Sequence, residues 1–294
     1  EQRELSTTLI DLDPAGAETG IDAIAALLCS DSTEDQLACR GTQVFVPRLT
    51  QTSVPIAPIL RIRPDSTYVI TGGLGALGLR VARWLAEQGC RHIVLMGRTS
   101  LPLRSAWSDL DSASDAGRRI TAILAIEALG VGVRAVAVDL SDESALEAWL
   151  AGHRRELHAP VRGVVHAAGI VDLSPTLELT RERLRDQLAA KIFGAHALDR
   201  LFGDDELDAF VLFSSASSVL GSPGLAAYAA ANSGLDALAL ARRARGAQAV
   251  SIQWGAWAGG GMARTGIEEG GGARAAEVID PEQGLAFLGE LWCA

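Results

Sequence analysis

From residue 67 onward, short unbroken apolar runs rich in Val and Ile alternate with longer stretches whose apolar positions recur every third or fourth residue. Continuous apolar runs of this length mark strands covered on both faces, and the intervening pattern marks amphipathic helices, so the chain reads as α/β with a doubly wound parallel sheet. Six strands are predicted: TYVIT (67–71), HIVLMG (92–97), VRAVAVD (133–139), VRGVVHA (161–167), DAFVLFS (208–214) and AVSIQW (249–254). Between them the spacing predicts helices over LRVARWLAEQ, RRITAILAIEAL, ESALEAWLAGHRREL, RERLRDQLAAKIFGAHALDRLF and an Ala-rich stretch from Ala226 to about Arg245. A last helix is expected over PEQGLAFLGEL.

Three regions break this rhythm. Residues 99–117 are rich in Ser, Asp and Pro and read as a surface insertion between a strand and a helix. Residues 258–274 are Gly-rich at both ends, the composition either of a lid over a pocket or of a disordered loop. The first sixty residues hold only TTLIDLD, IDAIAALLCS and QVFVPRL before a Pro-bearing linker, too little for an independent core. The expected division is therefore 1–62, a partial subdomain with linker, and 63–294, the main domain.

The loop TGGLGALG (71–78) follows the first strand of the main domain and opens a helix, with Gly73, Gly75 and Gly78 in the spacing GxGxxG. Glycines at such a turn let the backbone approach a pyrophosphate and aim free helix N–H groups at it, which points to dinucleotide binding. The second strand ends in Gly97-Arg98-Thr99-Ser100. A carboxylate there would hold the ribose 2′-hydroxyl of NAD, whereas a cation and hydroxyls suit a 2′-phosphate, so NADPH is the expected cofactor. Asp139 ends the third strand and either meets the adenine amino group or N-caps the next helix. HAAG (166–169) closes the fourth strand with small residues that leave room for a cofactor, His166 itself being read as packing.

Composition narrows the class. A net charge of −10 with scattered acidic residues argues against nucleic acid as a partner. The apolar runs are too short for membrane helices, and the four dispersed cysteines suit neither a zinc site nor a disulfide scaffold, so a cytoplasmic protein with reduced thiols is expected. Of 26 basic side chains only Lys191 is lysine. That lone ammonium is either a chance surface residue or a point charge in a site too tight for a guanidinium.

The chain has two tyrosines, and Tyr68 lies in a strand expected to be buried. Tyr228 instead begins the helix after the fifth strand, whose C-terminal end carries Ser214, Ser215, Ser217 and Ser218. Ligands of open α/β sheets bind at that edge. A phenol donating a proton near neutral pH needs its pKa lowered, and a neighbouring ammonium does this. Asn232, one helical turn after Tyr228, lies on the same face and could orient the lysine or a water.

Together TGGLGALG, GRTS, HAAG, Lys191, FSSASSVLGSPG, YAAAN and WGAW resemble the ketoreductase domains of modular polyketide synthases, a branch of the short-chain dehydrogenase/reductase superfamily with a Rossmann-type fold. The match runs through nearly all of residues 67–260. It implies Tyr228 as general acid, Ser215 as the donor that polarises the ketone, Lys191 as the charge that tunes the phenol and holds the nicotinamide ribose, and Asn232 as support for Lys191. It implies cofactor contacts from Gly72, Gly73, Leu74, Gly75, Leu77 and Gly78, through Arg98, Thr99, Ser100, Asp139, Leu140, Ala167, Ala168 and Gly169, to Lys191 and Tyr228. The implied reaction is hydride transfer from NADPH to the β-ketone of an acyl chain held as a phosphopantetheine thioester on an acyl carrier protein, beside neighbouring polyketide synthase domains. Residues 1–60 resemble the last portion of the family's cofactor-free structural subdomain, so the chain is expected to be a piece of a larger polypeptide.

Two family fingerprints for alcohol stereochemistry are broken. Val171-Asp172-Leu173 stands where one type has Leu-Asp-Asp, and Leu220 stands where the other has tryptophan eight residues before the tyrosine. The alcohol configuration is left open. Rival readings are an epimerase that no longer reduces, a free-standing reductase of small ketones, and a non-catalytic dinucleotide-binding scaffold.

Overall fold

The computed structural model describes residues 7–13, 17–30, 33–51, 62–156, 158–203, 205–259 and 278–292. The chain forms two compact units, Glu1–Pro55 and Ile56–Ala294. In the first, β1 (Leu9–Asp11) pairs parallel with β2 (Gln36–Arg40), which pairs antiparallel with β3 (Gln43–Phe45), and helix α1 (Ala17–Leu28) connects β1 to β2. The strand β2 is absent from the sequence prediction, because QLACR has no β-branched residue. Its alternate residues Leu37 and Cys39 are nevertheless buried, and Gly41 at φ +57° makes the turn into β3.

The second unit is built on six parallel strands: β4 (Thr67–Thr71), β5 (His92–Gly97), β6 (Gly132–Ala137), β7 (Val161–His166), β8 (Ala209–Ser215) and β9 (Val250–Trp254). All six match the strands expected from the apolar runs to within two residues at either end. Their order is β6-β5-β4-β7-β8-β9, a doubly wound Rossmann-type sheet whose winding reverses between β4 and β7. The C-terminal end of that boundary is where such sheets bind ligands.

Apolar side chains fill both faces, as strands without polar alternation require. Against one face pack α2 (Ala76–Glu87), α3 (Asp115–Glu127) and the last helix, Pro281–Leu291, with Val81, Leu85, Ile123, Ile126 and Leu288 buried on Ile70, Leu95 and Val211. Against the other pack α4 (Glu143–Arg155), α6 (Gly194–Leu201) and α8 (Ala226–Ala244), with Leu146, Leu150, Leu198, Leu235 and Leu238 on Val69, Val164 and Phe210. A single helical turn, α7 (Ser217–Leu220), lies between β8 and α8. Tyr68 is fully buried, its hydroxyl accepts from the Arg63 N–H at 2.9 Å, and Gly163 makes room for it. A Cβ at Gly163 would fall 2.3 Å from the Tyr68 ring.

Two details differ from the sequence reading. Helix α3 begins at Asp115, inside the expected insertion, because Ser114 caps it by accepting from Gly117 N–H at 3.0 Å. The helix expected over 181–202 is continuous but contains a π-turn, Ala189–Phe193, between α5 (Arg181–Leu188) and α6. The remainder of 99–114 holds one 3-10 turn, Arg104–Asp109. Residues 260–277, most of the expected lid, lie outside the described residues. Among the described residues no helix is long and apolar enough to cross a membrane, and no cluster of His, Cys, Asp and Glu could hold a metal.

Candidate active site

The glycine loop owes its shape to backbone crowding. Gly72 sits at φ +65° with a would-be Cβ 2.8 Å from the Ala167 carbonyl oxygen, and one on Gly78 would lie 2.4 Å from the Gly72 oxygen. Only glycine fits at these two positions. The turn delivers Gly75 as the N-cap of α2 with no side chain capping it and no acidic residue in the first turn. Uncapped N–H groups at a helix start form a site for an anion, which is the fit a dinucleotide pyrophosphate needs.

Beside this loop runs a cleft of about 260 Å³. Of the expected cofactor residues it is lined by Gly72, Leu74, Gly75, Leu77, Gly78, Arg98, Thr99, Asp139, Leu140, Ala167, Ala168 and Gly169. Gly73, Ser100, Lys191 and Tyr228 are not on its wall. Gly73 is pressed into the sheet, where its Cβ would lie 2.7 Å from the Ile70 oxygen, and Ser100 faces a neighbouring depression with Leu101 and Trp107. Sequence reasoning missed Ala76, Gly97, Arg119, Val138, Ile170 and Ala190, which also line the cleft. Arg119 was legible only as part of a helix, since nothing in its spacing says which way it faces.

Asp139 does not cap the next helix. Its Oδ1 accepts from the Ser141 N–H at 2.9 Å and hydroxyl at 2.8 Å, while Asp142 provides the α4 cap by accepting from Ala145 N–H at 3.0 Å. The Ser141 hydrogen bonds, and the nearby Arg98 charge less strongly, hold the Asp139 carboxyl below its ordinary range.

Lys191 is only 2% exposed, which removes the surface reading of the lone lysine. It projects from the π-turn, where one extra residue per turn re-aims a side chain. Its Nζ donates to the Phe213 carbonyl at 2.8 Å and to Asn232 Oδ1 at 2.7 Å, and lies 5.2 Å from the Tyr228 ring centroid. Gly169 clears its path, since a Cβ there would lie 2.7 Å from Lys191 Cε. Gly234 on α8 accommodates the adjacent Ile192, whose Cδ1 would be 2.2 Å from a Cβ, letting α8 close on the lysine helix.

Burial pulls the Lys191 ammonium down to about 7, against the favourable charge of Asp236. Asn232, fully buried, turns its Nδ2 to the Tyr228 carbonyl at 2.8 Å, so the amide orientation is fixed from both ends. The expected lowering of the Tyr228 phenol by the lysine is not found. Burial is the leading influence and pushes its pKa up, with hydrogen bonding to Asn232 and Ser215 opposing it. Ser215 Oγ, at the end of β8, accepts from Ser217 N–H at 3.2 Å and pairs with Ser217 Oγ at 3.0 Å, an arrangement in which Ser217 can donate and leave the Ser215 proton free for an incoming oxygen.

His166 is fully buried behind this group. Its Nδ1 meets Thr71 Oγ1 at 2.7 Å and its Nε2 meets the Lys191 carbonyl at 2.9 Å. Because a carbonyl only accepts, Nε2 carries the proton and Nδ1 accepts from the threonine. The ring thus ties the start of the glycine loop to the π-turn, a packing role as the sequence suggested.

A Rossmann-type sheet with a glycine loop at the reversal point, and a tyrosine, serine and buried lysine gathered at the same strand ends, defines a nicotinamide-dinucleotide oxidoreductase of the short-chain dehydrogenase/reductase type. A family model described as KR domain matches residues 66–259. The 6-methylsalicylic acid synthase of Aspergillus terreus (strain NIH 2624 / FGSC A1156) is 45% identical over 203 residues, which are 68% of this chain and 11% of that protein. Erythronolide synthase EryA3 of Saccharopolyspora erythraea is 39% identical over 287 residues, 95% of this chain and 8% of the relative. Among solved structures, the ketoreductase PlmKR1 from the first module of phoslactomycin biosynthesis in Streptomyces sp. HK803 superposes with a TM-score of 0.83 at 38% identity, covering 98% of this chain and 63% of that one. The chain belongs to the KR family, the ketoreductase domains of modular polyketide synthases. It spans only 11% and 8% of the length of these two curated relatives.

Proposed function

We propose that this domain uses NADPH to reduce the β-ketone of an acyl chain carried as a thioester on an acyl carrier protein, giving a β-hydroxyacyl thioester within a cytoplasmic multidomain synthase. The observation that carries the reading is the Lys191 amino group, buried, fixed by Phe213 and Asn232, and set beside the Tyr228 ring. A scaffold or a redox-inactive epimerase gives no reason to bury an ammonium there.

The site fits a dinucleotide cofactor. The uncapped start of α2 and the glycine loop suit the pyrophosphate, Arg98 suits a 2′-phosphate, and the small residues Ala167, Ala168 and Gly169 leave space for the ring. When bound, a reduced nicotinamide supplies a hydride to the ketone carbon. Ser215 donates a hydrogen bond to the ketone oxygen, and Tyr228 gives that oxygen its phenolic proton as the C–H bond forms. One ketone, one hydride and one proton become one alcohol, and the phenolate left on Tyr228 recovers its proton from solvent.

Of the three Lys191 N–H bonds in its charged form, Phe213 and Asn232 take two, leaving the third for the ribose and the phenol side of the site. The charge lowers the cost of the transient phenolate where burial raises it. The N-terminal unit, Glu1–Pro55, is read as part of a structural subdomain, with the linker that follows counted to it as far as residue 62. To test the carrier, the same β-ketoacyl group is offered on acyl carrier protein and on free pantetheine with NADPH. A higher kcat/KM on the carrier is expected, and equal values refute a carrier-borne substrate.

A further inference from the structure

The turn α7 carries Ser217 and Ser218 beside the reacting group, yet none of its four residues is buried, and Val219 and Leu220 are exposed. Apolar packing does not hold such a turn, so hydrogen bonds must. Just ahead of it the Ala216 N–H donates to the Trp254 carbonyl on β9 at 3.0 Å, and the Ser218 carbonyl accepts from the Ser233 hydroxyl at 3.3 Å. A shorter bond runs from Ser218 Oγ to Asp236 Oδ2, at 2.7 Å. Asp236 is half-buried on α8, about two helical turns beyond Tyr228, and its Oδ1 accepts from the Ser251 hydroxyl on β9. A carboxylate only accepts, so both serines donate to it. One side chain thereby fastens α7 to a helix and to a strand of the sheet.

The consequence reaches Ser215. Ser217, the neighbour of Ser218, gives its N–H and its hydroxyl to Ser215 Oγ at 3.2 and 3.0 Å. A hydroxyl has two lone pairs and one proton, so these two donors fill its accepting side and leave the proton for an incoming oxygen. If α7 shifts, both bonds lengthen and the Ser215 hydroxyl rotates away from the direction in which it serves the ketone.

We propose that Asp236 is a positioning residue for the reduction: through Ser218 it fixes the α7 turn, so that Ser217 holds Ser215 with its proton presented to the ketone. This rests on the reductase reading above, in which Ser215 donates to the ketone oxygen, and the test separates the two. Because the Asp236 charge also favours the Lys191 ammonium, the bond is cut from its other end by Ser218→Ala, which leaves that charge in place. Turnover of a β-ketoacyl pantetheine thioester is followed by NADPH absorbance in the native chain, in Ser218→Ala, in Ser215→Ala and in the double variant, with Asp236→Ala alongside. Ser218→Ala is expected to lower kcat about tenfold with KM within about twofold of native, and Asp236→Ala at least as far. Ser215→Ala is expected to lower kcat about a hundredfold. Adding Ser218→Ala to it should change kcat by less than about twofold, because the group that the turn positions is gone. Should Asp236→Ala not fold, the cycle between Ser218 and Ser215 decides alone. Equal losses from Ser218→Ala in both backgrounds, or a native kcat in Ser218→Ala or Asp236→Ala, overturn the proposal. If the native chain does not turn over, or Ser215→Ala does so at the native rate, the reading of Ser215 falls, and this proposal with it.

Discussion

Replacing His166 by Gln should flatten the acid sensitivity of the fold. Burial, reinforced by the Lys191 charge and only partly offset by the hydrogen bond to the Lys191 carbonyl, pushes the imidazole from 6.5 down to about 3. The unfolded chain therefore takes up this proton first. Stability from a neutral His166 is fully present above pH 6.5 and is lost as pH falls toward 3. At about 1.4 kcal/mol per pH unit the whole interval amounts to roughly 5 kcal/mol, comparable with the stability of many domains. From pH 6.5 to pH 5 the loss is about 2 kcal/mol. Gln can still donate to the Lys191 carbonyl and accept from Thr71, but it does not titrate. Urea unfolding followed by tryptophan fluorescence reports on this unit, since all six tryptophans follow residue 63. Native protein is expected to lose about 2 kcal/mol more than His166→Gln between pH 6.5 and 5. Identical losses would refute the argument that a neutral, doubly bonded imidazole supports the Lys191 turn.

Asp199→Ala should cost about 3–5 kcal/mol, because it strands Arg242, 2% exposed and stacked 4.0 Å from the Phe210 ring centroid, without the carboxylate it pairs with. A loss below about 1 kcal/mol in urea unfolding would show that the buried guanidinium finds another acceptor. Gly169→Ala places a methyl 2.7 Å from Lys191 Cε and should displace Nζ from Phe213 and Asn232. The expected result is a kcat lowered roughly ten- to a hundredfold with substrate KM nearly unchanged, and an unaltered kcat would mean that the lysine stem yields without moving its amino group.

What the sequence disclosed follows from how each feature is encoded. Parallel strands buried on both faces must be apolar throughout, so TYVIT and HIVLMG announce themselves, and the glycine loop is written in residues that nothing else can replace. The lone lysine pointed to its own site because its chemistry differs from arginine. Strand β2 was hidden because its burial comes from Leu37 and Cys39 rather than from β-branched residues. The π-turn leaves no periodic trace, since it is one residue of slippage within a helix of ordinary composition. Arg119 was invisible for a different reason: its direction depends on how Ser114 and Gly117 seat α3. The balance at Tyr228 also escaped, because the sequence names the ammonium but not the extent of burial that outweighs it.

The central claim is that Tyr228 protonates a ketone reduced by NADPH. The most direct test follows NADPH absorbance with a β-ketoacyl thioester for the native chain and for Tyr228→Phe, with NADPH binding measured separately. A fall in kcat of at least about a hundredfold with cofactor affinity retained is the predicted result. Turnover by Tyr228→Phe at the native rate would contradict the account.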